Sequence, residues 1–134
     1  MTFKTINQKV FFKALPKEIY SLIMDEHKHS EFTSSKVKIK NVEDTKFTAW
    51  DGYIEGENVE LLEGKKIVQK WRAEEENWPK KHYSTVTFIF REKDGGTEME
   101  FEQTGVPSEV YDTILTGWDD YYWEPIRGWI KDNI

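Results

Sequence analysis

Hydrophobic and polar positions alternate differently in different parts of this chain, and each change of period marks a predicted element. Phe3 to Lys13 mixes β-branched and aromatic residues, Val10, Phe11 and Phe12 among them, and predicts a strand. Pro16 then suits the first position of a helix, where a missing N–H costs nothing. Ile19, Leu22 and Ile23 come next at helical spacing, so a helix is expected from Pro16 to about Met24. Leu15 is a poor N-cap for it. His27 to Ser35 is polar around a buried Phe32 and predicts a short helical turn or loop. Lys36-Val37-Lys38-Ile39-Lys40 alternates strictly and predicts a strand with one wet face.

A meander is expected next. Lys46 to Trp50 and Tyr53 to Leu62 are strand-like runs joined at Asp51-Gly52, with Gly56 expected to form a bulge. After Glu63-Gly64 comes Ile67 to Ala73. Beyond the Trp78-Pro79 turn, Val86, Phe88 and Phe90 share one face. Asp94-Gly95-Gly96 turns the chain again. Met99, Phe101 and Gln103 then oppose Glu98, Glu100 and Glu102, an inside/outside alternation. From Val110 the period becomes helical through Ile114, Leu115, Trp118, Tyr122, Ile126 and Trp129. Pro125 removes a backbone bond to Tyr121 and predicts a kink. The order β-α-α-β6-α makes one α+β domain over residues 1–134. About seven antiparallel strands would curve around a long C-terminal helix. A lined cavity between sheet and helix is expected.

Composition narrows the classes. A chain of 134 residues buries roughly two thirds of its unfolded surface and needs no staples. It has no cysteine, which removes disulfides, thiol nucleophiles and cysteine zinc sites. No run of about 18 apolar residues and no signal-type N-terminus occurs, so no membrane span and a cytoplasmic setting are expected. The net charge of -6 disfavours nucleic acid. Aromatic residues are 15% of the chain, with six Trp, a surplus that points to a ring-rich core, a cavity or a binding face.

Candidate chemistry is sparse. His27, His29 and His82 lack a carboxylate cluster at ligand spacing, so solvated or locally bonded histidines are expected and no metal. The alternation puts Glu98, Glu100 and Glu102 in solvent. Ser84 lies two positions after His82 without the partners of a triad. No glycine-rich phosphate loop occurs. These features predict a protein without catalytic residues or cofactor. Gln103 points inward, where a buried amide needs partners; a main-chain bond near Gly105 is expected, with a ligand as the alternative.

The segments HSEFT (His29 to Thr33), WDGYIEGENVEL (Trp50 to Leu61), IVQKWR (Ile67 to Arg72), Trp78-Pro79 and HYSTV (His82 to Val86) occur in this order. Gly96-Thr97, QTGVP (Gln103 to Pro107) and GWDDYYWEPI (Gly117 to Ile126) complete the set. Together they resemble the activator of Hsp90 ATPase homologue 1-like domain, within the Bet v 1-like or START-like group. The resemblance spans almost the whole chain and implies a helix-grip fold and a non-enzymatic binding role with an Hsp90-type chaperone as partner. The co-chaperone of that family carries a second, N-terminal domain for which this chain has no room, so ATPase stimulation is an implication of family alone. The alternative is a small hydrophobic ligand held between sheet and helix. Its candidate contacts are Phe32, Trp50, Trp71, Phe88, Phe101, Gln103, Trp118 and Tyr122. Tyr121 and Trp123 lie off the apolar stripe and are candidates to anchor a protein partner.

Overall fold

A computed structural model describes all 134 residues. Strand β1 (Phe3–Phe12) is followed by helices α1 (Pro16–Met24) and α2 (Glu26–Thr33). Then come β2 (Thr45–Ala49), β3 (Ile54–Leu62), β4 (Lys66–Ala73), β5 (Ser84–Lys93) and β6 (Gly96–Pro107). The C-terminal helical run comprises α3 (Tyr111–Trp118), a wide π turn (Asp119–Trp123) and α4 (Glu124–Asn133). One antiparallel sheet has the order β1-β6-β5-β4-β3-β2. The helices cover its apolar face, and Phe88, Met99 and Phe101 of the central strands are almost fully buried beneath them. This is the curved sheet closed by a C-terminal helix that the element order predicts, and the helix-grip fold that the resemblance implies.

Local chemistry explains the boundaries. Pro16 opens α1, and the Glu18 carboxylate accepts from the Leu15 N–H at 2.9 Å. The start is therefore sealed from within the first turn, which compensates for a cap residue with no polar side chain. Asp25 caps α2 by accepting from the Lys28 N–H at 3.0 Å. Asp94 (φ 51°) and Gly95 (φ 76°) both lie in the left-handed region, as a two-residue hairpin turn requires.

Three expectations are corrected. The sheet has six strands because Lys36–Lys40 contributes only one bridge, Lys38 to Thr48. Val37 and Ile39 do face the core, but the Ile39 N–H donates to the Glu26 carboxylate at 3.1 Å and Lys36 C=O accepts from the Asp51 N–H. Backbone groups that a seventh strand would pair are thus bonded elsewhere.

Gly56 pairs regularly with Phe47 and Trp71; the irregularity in β3 falls between Asn58 and Glu60. A Cβ on Gly56 would stand 1.9 Å from the Lys70 carbonyl oxygen and 2.7 Å from the Phe47 ring. The glycine permits close packing and is not a bulge.

The disturbance expected at Pro125 takes the form of a wide turn. The Glu124 N–H donates to the carbonyl of Asp119, five residues back, immediately before the proline. One extra residue in a turn rotates the remainder of the helix by about 100°. Trp123 therefore joins Tyr122 on the buried side, and Ile130 replaces Trp129 as the deeply buried residue of the last turns. Trp123 is 1% exposed and its indole N–H donates to the Gln8 side chain at 2.9 Å, so it offers no surface to a partner. Tyr121, 56% exposed, remains on the outside.

Candidate functional site

The middle of the space between sheet and helix is filled. Phe88 and Phe101 lie 5.2 Å apart, Phe101 lies 4.6 Å from Trp118 and 5.2 Å from Trp123, ring centre to ring centre. Such distances are those of packed aromatic pairs and leave no room for a guest. Phe32 stacks on His29 at 5.1 Å and meets the edge of Tyr122, also away from open space.

Gln103 is fully buried here. It accepts from the Trp118 indole N–H at 2.8 Å and donates to the Ser84 hydroxyl at 3.0 Å, and Ser84 donates to the Trp71 carbonyl. Its partners are side chains, in place of the main-chain bond near Gly105 that the sequence suggests; the carbonyl of Gly105 is engaged by His82 instead. Changing Gln103 to Leu would keep its bulk and strand the Trp118 donor. A loss of about 2 kcal/mol in unfolding free energy is expected, read as a lower urea midpoint with an unchanged slope.

Open space remains at one end, where a cavity of about 450 Å³ lies between the end of the sheet and the start of the C-terminal helical run. Of the predicted ligand contacts, Trp50, Trp71, Trp118 and Tyr122 line it; Phe32, Phe88, Phe101 and Gln103 do not. Tyr121, predicted as a partner contact, lines it as well.

Several elements build its wall. Trp71 comes from β4, and its ring lies 5.4 Å from that of Trp118 in α3. Tyr121 and Tyr122 come from the π turn, whose extra residue brings consecutive tyrosines to the rim and to the floor. Trp50 follows β2 in an unusual conformation. Its φ is 52° and that of Asp51 is 54°, the left-handed region that bulky residues rarely adopt. The conformation is held by the Asp51 N–H on the Lys36 carbonyl at 3.0 Å and the Tyr53 N–H on the Trp50 carbonyl at 3.1 Å. The result is an indole set edge-to-face against Tyr121 at 5.3 Å. Backbone outliers of this kind persist where the surroundings over-determine them, and they cluster at functional sites.

The polar groups of the wall are few. The Tyr53 hydroxyl donates to the Glu75 carboxylate, and burial with that carboxylate pushes the phenol pKa far up. Behind the floor residue Tyr122, outside the lining itself, His29 is 3% exposed. Its Nδ1–H donates to the Ile23 carbonyl at 2.9 Å, so Nε2 accepts from the Tyr122 hydroxyl at 2.9 Å. Burial holds the imidazole pKa down at about 4, against the opposing pull of the Ile23 bond, and drives that of Tyr122 up. The Trp50 indole N–H is buried without a hydrogen bond of acceptable geometry; its nearness opposes the shift at Tyr122.

Tyr53, Glu75 and His29 escape sequence reading. Each acts through a partner from a distant part of the chain: Tyr53 with Glu75 across the sheet end, His29 with Tyr122 across 93 positions. The one signal for His29 is its place in the segment HSEFT. Trp78 resolves a further oddity of the sequence. It is 4% exposed, packs on Trp71 at 5.8 Å and donates its N–H to the His82 carbonyl, so it pins the loop between β4 and β5.

Comparison with known proteins gives a consistent result. The family model described as "Activator of Hsp90 ATPase homolog 1-like protein" matches residues 13–129. The human "Activator of 90 kDa heat shock protein ATPase homolog 1" is 33% identical over 122 residues, which cover 91% of this chain and 36% of that protein. The Dictyostelium discoideum activator homolog is 37% identical over 119 residues, covering 87% of this chain and 30% of its own. This chain thus spans roughly a third of the length of these relatives. Among solved structures, an HSP90 activator from Plasmodium falciparum superposes with a TM-score of 0.87 at 21% identity, covering 95% of this chain and 96% of that one.

Proposed function

Because the chain belongs to the activator of Hsp90 ATPase homolog 1-like family, we propose that it is a non-enzymatic module that docks on an Hsp90-type chaperone in the cytoplasm. The family match across residues 13–129 carries this reading. The relatives named as activators of the 90 kDa heat shock protein ATPase supply the partner. Their additional length makes stimulation of the ATPase a separate question from docking, and docking is the function assigned to this chain.

The surface offers one anchor suited to it. Tyr121 is 56% exposed, rests on Trp50 at 5.3 Å and follows the exposed Asp119 and Asp120. A rigid ring amid acidic groups fits a partner pocket rimmed by basic residues: the ring supplies affinity, the charges orientation. The aromatic cavity beside Tyr121 favours a second, compatible reading, the binding of a small molecule.

The test is an amide NMR titration of the labelled protein with the chaperone, with ATPase turnover followed in parallel. Shifts or broadening clustered around Tyr121 are expected. Tyr121→Ala should weaken binding about tenfold or more while the protein stays folded. A spectrum unchanged at roughly 100 µM chaperone overturns the reading.

A further inference from the structure

The cavity has a chemical bias that an apolar ligand would not use. Six rings line it: Trp50, Tyr53, Trp71, Trp118, Tyr121 and Tyr122. Glu75 is the one charged residue of its wall, and no Lys or Arg reaches it. Glu75 enters no salt bridge in the molecule; its side-chain partner is the Tyr53 hydroxyl, which bonds one carboxylate oxygen. An aromatic enclosure thus holds an anion without a cation.

From this arrangement we propose that the cavity binds an alkylated ammonium ion, with the ring faces around its methyl groups and Glu75 as its counter-charge. The alternatives fit less well. A neutral apolar guest would cover the carboxylate and leave it unpaired away from water, which is costly. An anion would meet Glu75 within the cavity and a chain of net charge -6 outside it. A primary ammonium carries three N–H donors that need acceptors, and the wall supplies one carboxylate and a few hydroxyls. A trimethylammonium group has no N–H to satisfy. It spreads its charge over a methyl surface, and ring faces within about 6 Å attract it.

Volume and geometry agree with that choice. About 450 Å³ exceeds what the head group needs and leaves room for a short chain leading to the rim at Tyr121. The lining comes from the turn after β2, from β3 and β4, and from α3 and the π turn, so rings border the space on more than one side. Tyr53 stays protonated, held so by burial and by Glu75, and keeps one carboxylate oxygen fixed.

The proposal is independent of any chaperone, and its test needs the isolated protein alone. Choline is titrated into the ¹⁵N-labelled protein beside 3,3-dimethylbutan-1-ol, its neutral isostere, with sodium chloride as the ionic control. Choline should move the indole N–H signals of Trp50, Trp71 and Trp118. Trp129, whose N–H is bonded to Glu31 outside the cavity, should stay still. The isostere should bind about tenfold more weakly. Glu75→Gln keeps an acceptor for Tyr53 and should cost choline about tenfold while leaving the isostere unchanged. Acetylated trimethyllysine methyl ester, run as a third ligand, separates a protein-borne source of the cation from a free one: tighter binding than choline assigns the former. Equal affinity for choline and isostere, or no indole shift up to roughly 50 mM choline, overturns the proposal.

Discussion

Replacing Trp123 by alanine is expected to lower the unfolding free energy by about 4 kcal/mol, whereas Tyr121→Ala should cost less than about 1 kcal/mol. Periodicity treats these two residues as equals, since both lie off the apolar stripe that runs from Val110 to Trp129. The π turn separates them. Trp123 is 1% exposed and is wedged among Phe12 at 6.2 Å, Phe101 at 5.2 Å and Trp118 at 5.4 Å. Truncation removes a large buried area, leaves a cavity in a ring-packed core and strands the Gln8 side chain that accepts the indole N–H. Tyr121 gives up one edge contact with Trp50 and otherwise meets solvent. In a domain whose total stability is about 5–15 kcal/mol, the first change is large; it should bring the melting temperature down by roughly 10–15 °C. Urea unfolding of both variants decides the matter. A Trp123→Ala loss below about 1.5 kcal/mol would mean that the ring is not the keystone its burial implies.

The same pair shows where sequence reading stops. Elements set by local chemistry are legible: Pro16 at the start of α1, Asp94-Gly95 at the β5–β6 turn, and the Met99-Phe101-Gln103 face of β6 against its glutamates. Each depends on a residue type acting within a few positions of itself. The architecture follows, because one long amphipathic helix has one apolar sheet face to cover. Elements set by competition between distant groups are not legible. Lys36–Lys40 alternates like a strand, yet Glu26 takes the Ile39 amide that a neighbour would have paired. The proline signals an irregular turn but not its form, and only the form tells which of Tyr121 and Trp123 turns inward.

The site divides along the same line. Half of the eight predicted ligand contacts line the cavity and half lie in packed core, because inward-facing is a property of alternation while open or filled depends on three-dimensional fit. Trp50 illustrates the difference. Its position at a strand end is visible in the sequence; its left-handed backbone, which swings the indole against Tyr121, is hidden in the bonds that Asp51 and Tyr53 make. Glu75, which gives the cavity its charge, and its partner Tyr53 sit beyond a strand end and in a turn, where no periodicity distinguishes them from solvent-facing residues.

Acidification should destabilise the protein through His29, by about 3 kcal/mol between neutral pH and pH 4. The imidazole has a pKa of about 4 in the folded protein against an ordinary 6.5, because burial disfavours its charge. The unfolded chain therefore takes up a proton below pH 6.5 that the folded one refuses. By linkage, stability falls as pH drops from about 6.5 to about 4, by about 1.4 kcal/mol per pH unit, and the effect levels off below. The structure shows why the proton is refused. Ile23 C=O accepts from Nδ1–H, so Nε2 is the sole site left, and it already holds the Tyr122 hydroxyl. Protonation would force the Tyr122 hydroxyl to turn and accept, giving up its own acceptor, and would place a charge against Phe32 and Tyr122 with no carboxylate beside it. His29→Gln removes the titration, so the variant should be less stable than the parent at pH 7.5 while its stability changes less on acidification. Exposed carboxylates such as Glu98 titrate in both proteins and cancel in the difference. The His29 ring resonances provide a second reading: they should stay in the neutral position until the pH approaches 4, and a midpoint near 6.5 would refute the argument. Because Tyr122 forms the floor of the cavity as well as the His29 bond, the same proton would loosen the ring wall. Choline binding should therefore hold down to about pH 5 and weaken only as the pH approaches 4, where the folded protein itself takes up the proton.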